Sequence, residues 1–224
     1  MIMKRETICG MLVGIICTAA MVLIEQLLVP TYWIKALIKI TLFFLSVVLY
    51  CTVFRKDYRE LINLKKFKKS RILIVGALLV YSVVIAAYFI FRNLIDMNAI
   101  RESLVNKEGL TRENCLFVFS YIILVNSFLE ESFFRGFIFG NLKEKSKLAA
   151  ALISAFLFAV YHIGIVSSWF TPLMLAVTIG ALMLAGLFLQ TVEEYFDSLA
   201  ASWFLHGFAN LAINTIGFFL IFEI

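Results

Sequence analysis

Proline and histidine are scarce in this chain, at two residues each in 224, and only 16% of positions are charged. The prolines are Pro30 and Pro172, and no Gly/Ser-rich linker, repeat or low-complexity tract divides the sequence. A multidomain reading is therefore excluded, and residues 1–224 read as one domain. The four cysteines, Cys9, Cys17, Cys51 and Cys115, stand singly in or beside apolar runs. That spacing speaks against a disulfide framework or a zinc knuckle and for small packed hydrophobes. What is abundant is apolar surface, 62% of residues. A soluble domain of this length has no use for so much, so the fold class is all-α, a polytopic transmembrane helix bundle. The net charge of +5 does not point to nucleic acid, because the basic residues gather where a membrane protein anchors its cytoplasmic side.

Seven spans follow from the hydropathy pattern. The first, Ile8 to about Val29, is too long for a signal-peptide core and lacks a cleavage site, so it reads as retained. A turn at Pro30 leads to a second span from about Trp33 to Phe54, at whose start Lys35 and Lys39 are expected to snorkel to the interface. The next loop, Arg55 to Arg71, holds Arg55, Lys56, Arg59, Lys65, Lys66, Lys68, Lys69 and Arg71 against Asp57 and Glu60, which makes it cytoplasmic. The third span is Ile72–Phe91, followed by the charge-balanced segment Arg92–Glu113 on the outer side. The fourth starts near Asn114 and re-emerges at the basic loop Lys143–Lys147. The fifth is Leu148 to about Val166 and the sixth Leu173–Gln190, joined by an outer turn at Ser167–Pro172. An acidic turn, Val192–Asp197, precedes the last span. The phenylalanines read as lipid-facing bulk. These alternations place the N-terminus in the cytoplasm of an integral membrane protein.

Polar residues inside spans are the functional signal, because a central Asp, Lys or Arg costs about 2.5–3.5 kcal/mol even on lenient insertion scales. The fourth span carries Glu130, Glu131 and Arg135 within six residues. Glu131 and Arg135 share a helix face and can neutralise each other, whereas Glu130 is turned elsewhere, towards the face of Asn126. Both histidines are also intramembrane. Phe158 and His162 share a face of the fifth span, and Ser202, His206, Asn210 and Asn214 make a polar stripe on the last. At ~1.5 Å per residue, Glu130, His162 and His206 lie roughly 20, 22 and 14 Å from the cytoplasmic ends of their helices, so one shared cavity is geometrically allowed. Gly136, Gly164 and Gly207 read as close-packing positions, and Ser202 and Asn214 as hydrogen-bonding residues between helices.

The series Glu130-Glu131-x-x-x-Arg135, Phe158-x-x-x-His162 and His206-x-x-x-Asn210, in that order on three spans, resembles the motifs of the CAAX-protease and bacteriocin-processing (CPBP, or Abi) family of intramembrane endopeptidases. The resemblance covers about Asn126 to Asn214, within a motif-bearing core of about 114–224. It implies that Glu130 is the general base for a water shared with His162. His206 and Asn210 would stabilise the oxyanion, with Glu131, Arg135 and Phe158 supporting the site. A peptide or protein substrate, within or beside the bilayer and in a cavity opening to the cytoplasm, is implied with it. The small size points to a bacterial cell membrane, where bacteriocin processing or immunity is a known family role.

Two alternatives remain open. Glu130, His162 and His206 also make a three-ligand set for zinc, with an open fourth position. The chain has no H-E-x-x-H, however, and a separate base would then have to come from Glu131 by leaving Arg135, so no cofactor is the favoured reading. A non-catalytic immunity or scaffold protein would preserve the same residues. A proton-coupled transporter fits less well, because no inverted repeat and no pair of Gly/Pro-broken spans is present.

Overall fold

In hydrocarbon a chain must satisfy its own backbone, and a long apolar run does so only as a helix. The computed structural model describes residues 5–28, 31–65 and 70–222. Seven of its helices are long and apolar enough to cross a membrane: α1 (Arg5–Leu28), α2 (Tyr32–Phe54), α3 (Arg71–Leu94), α4 (Cys115–Leu142), α5 (Lys147–Val166), α6 (Pro172–Phe196) and α7 (Leu199–Leu220). No strand occurs among the described residues. The expected all-α bundle of seven spans is what the chain forms. The expected turn at Pro30, and Lys66, Lys68 and Lys69 of the basic loop, lie outside the described residues.

Local chemistry explains most boundaries. Ser146 caps α5 by accepting from the Ala149 amide at 3.3 Å. Thr171 caps α6 in the same way, with Pro172 in the first turn, where its missing N–H costs nothing. One boundary differs from expectation. Val192–Asp197 is not a loop, because α6 continues to Phe196 and ends only where Asp197 adopts the left-handed conformation at φ 47°. No residue in that stretch breaks a helix, so its acidity alone misplaces the end.

α4 is the axial helix, in contact with α1, α2, α5 and α7, whereas α3 lies against α7 and α6 against α5 and α7. The loops at one end are tied by charge. Lys65 Nζ donates to Asp197 at 2.8 Å and holds that carboxyl below its usual range, and Lys147 pairs with Glu194 at 3.0 Å. The acidic end of α6 is thus matched by the basic loops beside it. At this end Tyr50 Oη also donates to Asn141 at 2.8 Å.

The phenylalanines do not all face lipid. Phe43, Phe133, Phe134, Phe137, Phe139 and Phe158 are buried in the main core, with Phe43 stacked on Phe133 at 4.1 Å, while Phe44, Phe89 and Phe117 are exposed. The α4 stretch after Glu131 supplies most of these rings, so the acidic pair is anchored in the best-packed part of the molecule. Cys17 and Cys51 belong to the same core, and Cys115 to a smaller cluster.

Close packing at the glycines is real. A Cβ on Gly136 would sit 2.5 Å from the Leu61 carbonyl oxygen, one on Gly164 3.2 Å from the Val22 Cα, and one on Gly207 3.3 Å from the Ile123 oxygen. The contact at Gly136 is against backbone, which cannot rotate away. Gly136→Ala should therefore cost about 1–3 kcal/mol, as for other overpacked positions. The measurement is a thermal or denaturant unfolding curve in detergent, and an unmoved midpoint would mean that the Leu61 segment yields freely.

Candidate active site

α4 is not a regular α-helix through the site. It widens into π-type turns over Ile122–Asn126 and Ser132–Phe139, on either side of Ser127–Glu131. Such turns weaken or redirect the regular carbonyl ladder, and they recur at functional positions. Side chains of the neighbouring helices take up the exposed carbonyls. Trp203 Nε1 donates to Leu124 O at 3.0 Å, Asn210 Nδ2 to Ile122 O at 3.3 Å and Asn214 Nδ2 to Phe119 O at 3.2 Å. Ser154 Oγ donates to Phe134 O at 2.7 Å. Trp203, Asn210 and Asn214 form a seam of α7 on α4, and His206 lies on that seam. The neighbouring Ser202 hydroxyl donates within its own helix, to Leu199 O at 3.1 Å.

Glu130, His162 and His206 do come together. Glu130 is 1% exposed, and its two oxygens have different surroundings. Oε1 accepts from Asn126 Nδ2 at 2.8 Å and lies 3.3 Å from Lys39 Nζ. Oε2 faces both rings, 3.9 Å from His162 Nε2 and 3.6 Å from His206 Nε2. Both separations exceed a hydrogen bond and suit groups that address a common third atom.

The partners of the rings fix which nitrogens are available. His162 Nδ1 donates to the Phe158 carbonyl at 2.7 Å, and His206 Nδ1 donates to Glu131 Oε1 at 2.8 Å. Neither partner has a hydrogen to give, so each Nδ1 carries the proton, and each ring turns its Nε2 to Glu130. Phe158 contributes its ring as well as its carbonyl. It lies edge-on to His162 at 4.6 Å and to His206 at 5.8 Å, and the Arg135 guanidinium stands over it at 4.2 Å.

Glu131 and Arg135 make the expected pair, with Nη1 at 3.1 Å from Oε1, and both are fully buried. Arg135 Nη2 also donates to Gly186 O at 3.3 Å. Glu131 thus joins a fixed cation to the His206 imidazole. Asn210 stands one turn beyond His206, with its amide given to α4 rather than to Glu130.

One participant was not expected. Lys35 and Lys39 do not snorkel to the interface; they are 5% and 7% exposed and point into the bundle. Lys39 donates to Asn126 Oδ1 at 2.5 Å besides pairing with Glu130, and it lies over the Tyr161 ring at 4.8 Å. Lys35 pairs with Glu25 at 2.7 Å and Glu108 at 2.5 Å. A lysine near a span end reads as an anchor because its stem reaches water cheaply. The missed signal is charge balance, since Glu131 uses Arg135 and leaves Glu130 without a cation.

As a zinc site this arrangement fits poorly. Among the described residues no three His, Cys, Asp or Glu side chains gather closely enough to hold a metal ion. The ammonium on Glu130 would also sit beside the dication, and Glu131 is committed to Arg135 and His206.

A helical membrane bundle enclosing a buried acid–imidazole centre defines the class: an integral membrane protein whose polar residues converge inside it. Residues 112–212 match the family described as Rce1-like, type II CAAX prenyl endopeptidase Rce1-like. The match runs from just before α4 to Ala212 in α7, and over that segment the chain is similar to type II CAAX prenyl endopeptidases. No curated protein and no solved structure matches the chain.

Proposed function

We propose that this protein is an intramembrane endopeptidase of glutamic type, working without a metal. The observation that carries the reading is the convergence of two Nε2 atoms, each ring anchored through Nδ1, on a single oxygen of Glu130. In the proposed reaction a water held between Glu130 Oε2 and His162 Nε2 gives its proton to Glu130, and its oxygen attacks the scissile carbonyl carbon. The carbonyl oxygen becomes the oxyanion. His206, held through Nδ1 by Glu131 and carrying a proton on Nε2 from the outset, would donate that Nε2–H to the oxyanion. Asn210 becomes the second donor once substrate replaces its bond to Ile122. Donors so placed contribute roughly 2.7–4 kcal/mol each to the transition state. Collapse breaks the C–N bond, and the proton on Glu130 passes to the leaving amine.

The reading includes an orientation in which the basic loops and the N-terminus are cytoplasmic, in a bacterial cell membrane. It takes as substrate a membrane-associated peptide, either a prenylated C-terminal tail or a bacteriocin leader. The test is cleavage by the purified protein in proteoliposomes, with a farnesylated tail peptide and a double-glycine leader peptide as probes. One of the two should be cut, and phenanthroline should leave the rate unchanged. His162→Ala should lower kcat/KM about 100-fold, within the range for a positioned proton-transfer partner. A folded protein that cuts neither probe, or a His162→Ala variant as fast as the wild type, would overturn the endopeptidase reading. Sensitivity to the chelator would overturn the metal-free one.

A further inference from the structure

The catalytic reading leaves one question: what holds the Glu130 carboxylate so that a single oxygen faces both imidazoles? A carboxylate on a two-bond stem rotates readily, and with two rings nearby it has several ways to turn. In the structure the other oxygen is held by contacts from outside the histidine pair. Asn126, one turn earlier on α4, donates to Oε1 at 2.8 Å, and Lys39 of α2 lies 3.3 Å from the same atom. Lys39 also donates to the Asn126 carbonyl oxygen at 2.5 Å, so ammonium, amide and carboxylate form a closed triangle. The amide is thereby oriented, because with its oxygen on Lys39 its NH2 must face Glu130.

Charge balance points the same way. The buried centre holds two carboxylates, Glu130 and Glu131, and two fixed cations, Lys39 and Arg135. Arg135 is paired with Glu131, and Lys39 is the only Lys or Arg ion-paired with Glu130 among the described residues. With both carboxylates matched, neither imidazole is needed as a counter-charge, and both Nε2 atoms remain available. Tyr161, fully buried, closes the far side of the ammonium with its ring face.

We propose that Lys39 is a positioning residue of the active site, which through Asn126 and Glu130 Oε1 turns Oε2 towards His162 and His206. It lies on α2, outside the matched segment 112–212, so the amino-terminal helices supply part of the catalytic geometry as well as a scaffold. This inference rests on Glu130 being the base. Lys35 provides the internal control. It lies one turn earlier on the same helix, is as deeply buried and as fully ion-paired, and its partners are Glu25 and Glu108 rather than Glu130.

The experiment compares Lys39→Met, Lys39→Arg and Lys35→Met with wild type in proteoliposomes, using the farnesylated or leader peptide that the wild type cuts. Each variant's unfolding midpoint is recorded so that rates are taken on folded protein. Lys39→Met should lower kcat about 30- to 100-fold, the scale of a misplaced catalytic group. KM should change by less than about threefold, because the loss falls on the chemical step. Lys39→Arg, which restores a fixed cation, should recover kcat to within about tenfold of wild type. Lys35→Met should lower the unfolding midpoint and leave kcat within about threefold. The inference is overturned if Lys39→Met keeps wild-type kcat, if Lys35→Met loses as much kcat, or if Lys39→Arg is no better than Lys39→Met. If Glu130→Gln itself retains full cleavage, the failure belongs to the catalytic reading instead.

Discussion

Glu130→Gln should reduce cleavage by about 10³- to 10⁴-fold, the upper part of the range for general-base removal. The substitution is nearly isosteric, and the glutamine carbonyl can still accept from Asn126 and from Lys39. What disappears is the capacity to take a proton from water and to return it to the leaving amine, so both halves of the proposed reaction fail together. The loss should appear in kcat, with KM little changed, because substrate binding does not call on this carboxylate. Some stability should be lost as well, since Lys39 is 7% exposed and would be left without its counter-ion. Rates therefore belong well below the unfolding midpoint of the variant. The check is single-turnover cleavage of the peptide cut by wild type. Activity above about one tenth of wild type, far outside the general-base range, would place the base elsewhere. Among the described residues Glu131 is the one other carboxylate in contact with either ring, and it is already held by Arg135 and His206.

Most of this site was legible in the sequence because intramembrane polar residues are rare and helical spacing is regular. Glu131 to Arg135, Phe158 to His162 and Asn126 to Glu130 are each four apart, and each pair meets in the structure. The relation between helices was legible only as an agreement of depths. That agreement does not say which nitrogen faces the acid; this follows from the acceptors at each Nδ1, and one of them, the Phe158 carbonyl, is a backbone atom with no sequence signature. The π-type turns of α4 were equally silent. Ile122–Asn126 and Ser132–Phe139 look like any apolar helix, and their carbonyls find partners only in the three-dimensional neighbourhood of α5 and α7. Lys39 was visible and misread. Position near a span end argued for the interface, but the unmatched charge of Glu130 outweighs it, because a buried carboxylate without a cation costs more than drawing a lysine stem inward. The phenylalanines were misjudged for a related reason. Composition cannot distinguish rings that face lipid from rings that face other rings, since both surroundings are apolar.

Arg135→Met should destabilise the fold by about 3–5 kcal/mol, the loss expected when one member of a buried ion pair is removed. Arg135 is 1% exposed and Glu131 0%, so the carboxylate left behind has no route to water. The guanidinium also spans three helices, pairing with Glu131 on its own α4, donating to Gly186 O on α6 and stacking over Phe158 on α5. Methionine fills most of the volume but replaces none of these polar contacts. Activity is a poor readout for this variant, because Glu131 also orients His206 and any loss would mix folding with chemistry. Stability separates the two through a double substitution. Glu131→Gln together with Arg135→Met removes both charges, and it should unfold at a higher temperature than Arg135→Met alone even though it has lost more native contacts. That non-additivity is the signature of a stranded buried charge, since residues in direct contact couple by about 0.5–3 kcal/mol in such cycles. If the double variant is instead less stable than the single by the full cost of Glu131→Gln, the pair is not coupled. The contribution of Arg135 would then come from its contacts with Phe158 and Gly186 rather than from Glu131.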